Sequence, residues 1–220
     1  MSMKAILFGA TGMVGEGVLH EALDDPRIDS VLVIGRRSCD LRHPRLIEVL
    51  HNDFYDYSAI EVRLAGYDAC FFCLGVTSVG KREEEYRRLT YDLTMAAART
   101  LVRLNPQMVF CYVSGAGTDS TERGKSMWAR VKGKTENDLM KLPFKAVYAF
   151  RPGFIKPIAG SKRSLTISKV LAPFYPVMKL LAPKFVCTLE DVGCSMIRAA
   201  AAGYPKPVLE CIDIAELSRT

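Results

Sequence analysis

The stretch ILFGATGMVGEG, beginning at Ile6, constrains this chain more than any other. An apolar run breaks into Gly9, Gly12 and Gly15, and an amphipathic run follows. Strand, side-chain-free corner and helix in that order form the first part of a βαβ unit. Gly9 permits the tight turn. Gly12 lets backbone N–H groups approach a pyrophosphate with no Cβ in the way, and Gly15 lets the helix press against the strand. The helix start adds unpaired N–H donors and a positive dipole end. With Thr11, Met13 and Val14 between the glycines, the segment reads as a dinucleotide-binding corner. The competing reading is a plain βα turn. A second strand within roughly 30 residues supplies the context that the dinucleotide reading requires.

The rest of the chain keeps the same rhythm. KAILFG, SVLVIG, LIEVL, DACFFCLG, MVFCYVSG and FKAVYAFRPG read as buried strands. MVGEGVLHEALDD, YSAIEVRLA, EEEYRRLTYDLTMAAARTLVRL and SMWARVKGKTENDLMKL read as helices between them. Strands alternating with helices predict an α/β fold, a doubly wound parallel Rossmann sheet of about six to seven strands. Near-continuous apolar strands agree, because such strands are covered on both faces. After Gly153 the rhythm loosens. Residues 1–153 are expected to form the dinucleotide-binding domain. Residues 154–220 are expected to form a small substrate-side segment packed on it, with LEDVGCSMIRAAAAG as a helix returning to the sheet.

Composition narrows the classes only a little. The chain is 49% hydrophobic and 25% charged, as soluble globular proteins are. A net charge of +6 is mild; it suits an anionic ligand, and no nucleic acid is expected. The seven cysteines are odd in number and several lie in apolar runs, so they read as reduced, buried thiols. CFFC has redox spacing but sits in a strand, where no helix start stabilises a thiolate. His20, His43 and His51 lack metal-ligand spacing, and no metal is expected. The N-terminal apolar run is too short for a signal peptide. LTISKVLAPFYPVMKLLAP, from Leu165, is broken by lysines and prolines and does not read as a membrane span. A cytoplasmic location is the expectation. The wider stretch SKRSLTISKVLAPFYPVMKLLAPK has basic residues flanking apolar ones, as membrane-surface helices do. Pro173 and Pro176 interrupt it, so a lid or dimer surface is the preferred reading.

The second strand indicates which dinucleotide. NAD sites place an Asp or Glu about 20 residues past the glycines, on the ribose 2′-OH. Here the strand ends VIGRRS, and Arg36 and Arg37 stand where the acid would be. Guanidinium groups match a 2′-phosphate, so NADP(H) is expected ahead of NAD(H). Arg37 also reads as a solvated loop charge.

GATGMVG, IGRR, NDF, CLGVT, VSGAG, VKGKTE and RPG occur in the order found in atypical short-chain dehydrogenase/reductases. The chain most resembles the branch of Tat-interacting, metastasis-suppressor oxidoreductase-like proteins, over about residues 3 to 157. The resemblance implies that Asp53 and Phe54 sit against the adenine. It implies that Leu74, Gly75, Val76 and Thr77 line the cofactor groove, and that Pro152 and Gly153 lie near the nicotinamide. It also implies a Ser, Tyr and Lys set in which Lys132 holds the nicotinamide ribose and lowers the phenol pKa, while the phenol moves a proton.

Ser114 and Lys132 match that set, but Trp128 occupies the tyrosine position, one helical turn before Lys132. An indole N–H has no usable acidity. Tyr112, Lys125, Ser126 or a bound water could supply the proton instead, and the sequence does not rank them. Two functions follow. One is an NADP(H)-dependent oxidoreductase acting on a small carbonyl-type substrate with a reorganised acid. The other is a non-catalytic NADP(H)-sensing regulatory or interaction protein, which a protein partner would read.

Overall fold

The computed structural model describes residues 2–156 and 186–220. The stretch from Leu165, with its proline-interrupted and membrane-surface readings, lies outside the described residues.

The apolar runs become strands β1 (Met3–Phe8), β2 (Ile28–Gly35), β3 (Leu46–Leu50), β4 (Ala69–Phe72), β5 (Val109–Val113) and β6 (Ala146–Arg151). Between them lie α1 (Met13–Asp24), a 3-10 turn (Ser58–Leu64), α2 (Glu83–Arg87), α3 (Leu93–Leu104) and α4 (Met127–Leu139). Beyond β6 come β7 (Phe154–Lys156), β8 (Val186–Thr188), α5 (Leu189–Ala202), β9 (Val208–Glu210) and α6 (Cys211–Leu217). The main sheet has seven strands in the order β3-β2-β1-β4-β5-β6-β9, and every pairing is parallel. The doubly wound parallel sheet is therefore as expected, with β9 as a seventh strand. A separate pair, β7 and β8, is also parallel.

Successive strand residues feed opposite faces of the sheet. Ala5 and Leu7 of β1 join one core layer with α1, α5 and α6. Ile6 and Phe8 join the other with α3, Phe54 and Phe72. Helices α1 and α5 meet through glycines: a Cβ at Gly17 would stand 2.8 Å from Leu189 Cβ, and one at Gly193 2.5 Å from Glu21 Cγ. Helix α5 begins at Thr188, whose side chain accepts from Asp191 N–H while Asp191 accepts in return, a capping box.

Two elements depart from their sequence expectation. YSAIEVRLA forms a 3-10 turn rather than an α-helix. The long helix between β4 and β5 is not continuous: a π turn at Arg88–Asp92 joins α2 to α3. Single π turns inside helices often mark functional positions, and this one faces the groove described next.

Candidate dinucleotide site

The strand order reverses between β1 and β4, and ligands bind at such a switch point, beyond the carboxyl ends of the strands. The loops after β1 and β4 meet there. Gly9 has φ of 86°, and a Cβ on it would stand 2.8 Å from Cys73 C and O and 2.9 Å from Leu74 N. Only glycine fits that approach. A Cβ on Gly15 would overlap the Gly9 carbonyl, so α1 lies hard against the corner. Gly12 differs. It is the N-cap of α1 without a side-chain cap, and its Cβ would meet only the Gly9 oxygen, at 3.4 Å. Its outer side is open. A helix start without a side-chain cap, with open space beside Gly12, fits a pyrophosphate. Thr11, Met13 and Val14 are half-buried around this opening.

Past β2, Arg36 and Arg37 are both exposed. The loop after them is pinned by Glu48 of β3, which accepts from Ser38 Oγ at 2.9 Å and Cys39 N at 2.8 Å. Burial raises the Glu48 carboxyl, but these hydrogen bonds outweigh it and hold the group below the usual carboxylate range. A cleft of about 170 Å³ opens beside Arg36, walled by Asn52, Phe54, Tyr55, Leu74, Gly75, Val76, Leu89 and Leu93. Of the residues expected here, the cleft gathers Arg36, Phe54, Leu74, Gly75 and Val76. Arg37, Asp53 and Thr77 are not among its walls. The Asp53 carboxylate instead accepts from Tyr55 N at 2.9 Å, and Thr77 Oγ1 accepts from Val79 N at 3.2 Å.

Asn52, Tyr55, Leu89 and Leu93 were not foreseen. Leu89 lies in the π turn and Leu93 follows it, and an extra residue in a helical turn has no clear sequence signature. The Tyr55 hydroxyl donates to Arg88 O at 3.1 Å, and the Arg88 guanidinium lies 5.5 Å from its ring centroid.

The residues to which the family resemblance gives catalytic roles stand at the end of β5 and on α4. Lys132 Nζ donates to Ser114 O at 2.7 Å and stands 5.8 Å from the Tyr112 ring centroid. Burial pulls its pKa down to about 8, against the pull of the Glu136 carboxylate one turn along α4. Trp128 lies one turn the other way, half-buried, with Cη2 3.6 Å from where a Gly117 Cβ would be. Ser114 is 8% exposed, and its hydroxyl lies 2.5 Å from Glu136 Oε1 and 3.2 Å from Phe150 O, within donating reach of both. Tyr112 is 1% exposed, and burial pushes its phenol far above the ordinary range. Lys125 and Ser126 are exposed where α4 begins. Pro152 is buried and Gly153 half-buried after β6, and Pro152 O accepts from Ala116 N at 2.9 Å, which ties the loop after β5 to this edge. Among the described residues no three His, Cys, Asp or Glu gather as a metal site, and no helix is long and apolar enough to cross a membrane.

No family model matches the chain. Among curated proteins it is 28% identical over 221 residues to the mitochondrial protein FMP52-2 of Scheffersomyces stipitis, covering 96% of this chain and 93% of that protein. It is 30% identical to the FMP52 protein of Eremothecium gossypii, over 70% of this chain and 66% of that one. HTATIP2 of Rattus norvegicus is 27% identical over 70% of this chain and 64% of its own length. The chain belongs with the atypical short-chain dehydrogenase/reductases.

Solved structures agree on the fold. The Streptomyces venezuelae dTDP-glucose 4,6-dehydratase with NAD bound superposes with a TM-score of 0.69 at 15% identity, over 98% of this chain and 80% of that one. A short-chain dehydrogenase/reductase of Saccharomyces cerevisiae gives 0.67 at 17% identity, over 98% and 99%. The Bordetella bronchiseptica enzyme WbmF with NAD+ gives 0.65 at 15% identity, over 98% and 77%. The expectation of a cytoplasmic location is overturned: the FMP52 relatives are named mitochondrial, against which composition and the absence of a signal-peptide pattern carry no weight.

Proposed function

We propose that this chain binds NADP(H) through the corner after β1 and the cleft beside Arg36, as an oxidoreductase of the short-chain dehydrogenase type. The observation that carries the binding is the contrast among the three glycines: two are closed in by backbone, and Gly12 alone opens outward. Gly12 and the start of α1 would hold the pyrophosphate. Arg36 would pair with the 2′-phosphate, the cleft from Asn52 to Leu93 would take the adenine, and Lys132 would reach the nicotinamide ribose. Residues 154–220 would form the substrate side. The bound cofactor would supply the hydride for a small carbonyl-type substrate. The chain's own part is to orient both groups and to keep Lys132 charged beside them. Several solved proteins of this fold hold NAD in their described complexes, which supports a dinucleotide and leaves the choice of NADP to Arg36.

A second reading is favoured by one specific observation. The Ser114 hydroxyl is committed to a buried carboxylate, and an indole stands where a phenol would act. A protein that keeps the cofactor site without a proton relay suits a sensor that a protein partner reads.

Thermal melting tests the binding, and turnover separates the two readings. A ligand at 100 times its Kd stabilises a fold by about 2.7 kcal/mol. For a chain of this size that is roughly 5–11 °C. NADPH should give such a shift, and NADH a smaller one at equal concentration. Equal shifts would remove the NADP preference, and no shift with either would remove the dinucleotide. NADPH oxidation with simple aldehydes or quinones identifies the oxidoreductase; tight binding without turnover identifies the sensor.

A further inference from the structure

The cleft beside Arg36 has a second arginine at its rim. Arg88 is exposed, opens the π turn, and directly precedes Leu89, a wall of the cleft. Its guanidinium stands 5.5 Å from the ring centroid of Tyr55, another wall. The Tyr55 hydroxyl donates to Arg88 O at 3.1 Å, and the same carbonyl accepts from Leu93 N–H, five residues on. One tyrosine thus holds both the backbone and the charged end of this arginine. The preceding residue is turned elsewhere. Arg87 lies over Tyr91, whose hydroxyl donates to Asp138 of α4. Among the described residues neither Arg36 nor Arg88 makes an ion pair.

We propose that Arg88 is a second residue selecting NADP(H), sharing the 2′-phosphate with Arg36. The proposal rests on the reading that this cleft takes the adenosine end of the cofactor. A phosphate monoester carries close to two negative charges at neutral pH and three acceptor oxygens. One guanidinium engages two oxygens and brings a single positive charge. Arg36 alone therefore leaves an oxygen and about half the charge unmet. Arg37 is not a wall of the cleft, whereas Arg88 is tied to one. The apolar walls Phe54, Leu74, Val76 and Leu89 suit a purine ring, so the two cations are left for the phosphate. NAD(H) offers a neutral hydroxyl at that carbon, from which a second guanidinium gains little. Tyr55 is the positioning residue: with Arg88 already held, less side-chain freedom is lost when the phosphate arrives.

The test is a set of binding titrations on the full chain, with no turnover required. The ligands are NADP+, NAD+, and the fragments adenosine 2′,5′-bisphosphate and 5′-AMP. Arg88→Ala should weaken NADP+ and the bisphosphate about tenfold, the scale of one hydrogen bond to a charged group. NAD+ and 5′-AMP should stay within about twofold, and the unliganded variant should melt near wild type because the side chain is exposed. Arg88→Lys keeps the charge and should recover part of the loss. Tyr55→Phe keeps the ring but frees the Arg88 carbonyl, and should cost less than Arg88→Ala. In an Arg36→Ala background the phosphate is no longer seated, and Arg88→Ala should add little. Equal losses for NADP+ and NAD+ would make Arg88 only a support of the cleft and overturn the proposal. No loss at Arg88, while Arg36→Ala removes the NADP+ preference, overturns it and leaves the cleft reading standing. Wild type that binds the bisphosphate no more tightly than 5′-AMP defeats the cleft reading and the proposal with it.

Discussion

Ser114 and Glu136, 22 residues apart in sequence, share a buried hydrogen bond of 2.5 Å. The Glu136 side chain has no exposure, and Arg151 pairs with it at 2.5 Å through Nη2 and 3.1 Å through Nε. Arg151 also bonds Ser120 Oγ at 2.5 Å and Glu210 at 3.1 Å. One guanidinium thus joins α4, the loop after β5 and the end of β9. This arrangement ties the Ser114 hydroxyl to Glu136 and fixes the helix that carries Lys132 and Trp128.

Removing one partner of a buried pair leaves an uncompensated charge, at about 3–5 kcal/mol. Glu136→Ala should lower the melting temperature by roughly 6–20 °C. Ser114→Ala removes one hydrogen bond to a charged group, worth about 1.5–3 kcal/mol, and should lower it less. NADPH affinity of the folded Ser114→Ala protein should stay within a few fold of wild type. A large selective loss of binding in that variant would show that the hydroxyl faces the ligand after all.

The glycine corner predicts a sharp contrast. Gly15→Ala drives a Cβ into the Gly9 carbonyl and should destabilise the fold. Gly12→Val meets no such obstacle and should melt near wild type while losing NADPH binding. Calorimetry and a binding titration on the two variants check this, and loss of binding without loss of stability at Gly12 is the decisive result.

These glycines were legible because only glycine satisfies a positive φ beside another backbone, and that demand shows in sequence. The parallel sheet was legible for a similar reason: strands buried on both faces must be apolar throughout. Other features were not. Val208–Glu210, only three residues, is too short to read as the seventh strand, and it forms because β6 offers an open edge. Sequence shows the distance of Ser114 from Lys132 but not its hydrogen bond to Glu136, which the fold alone brings together. The local turn that the Asp53 carboxylate closes on Tyr55 N was likewise not legible. The Tyr55 wall of the cleft was not legible, since it depends on a π turn more than thirty residues away.

Arg36 should decide between the cofactors. It stands on the cleft wall while Arg37 does not. Arg36→Ala should abolish the excess NADPH affinity over NADH and leave NADH binding nearly unchanged. Arg37→Ala should change neither by more than a few fold. Parallel titrations measure both, and a larger effect at Arg37 would reassign the phosphate contact.

Lys132 carries a pH signature of known sign. Its pKa falls from 10.5 in the free side chain to about 8 in the fold. Below pH 8 both states hold the proton, and the folded state bears the full burial penalty. Between pH 8 and 10.5 the unfolded state holds more proton, so this group's contribution to stability rises with pH. Lys132→Met lacks that term. The melting temperature of the variant relative to wild type should therefore fall as pH is raised from 7 to 10. A difference constant across this range would mean that the ammonium titrates normally.

Trp128→Tyr tests the chemistry itself. The new phenol would stand one helical turn from Lys132, whose ammonium favours the ionised form and lowers the phenol pKa. Below pH 8 that ammonium is present, so the effect should be strongest near neutrality. The ring being replaced lies against the Gly117 turn and is half-buried, so the smaller phenol leaves a gap that the exposed loop can close at modest cost. A positioned general acid is typically worth 10²–10⁴-fold. With the Ser114 hydroxyl bonded to Glu136, the gain should sit at the lower end, about 10²-fold in kcat/KM for NADPH-dependent reduction of simple aldehydes or quinones. Lys132→Met in the same background should remove the gain, because in the proposed site the lysine would supply both the pKa shift and the ribose contact. Brisk turnover by wild type, unchanged by Trp128→Tyr, would place the acid on another residue. Tight NADPH binding by both proteins without turnover by either would identify the chain as a cofactor sensor.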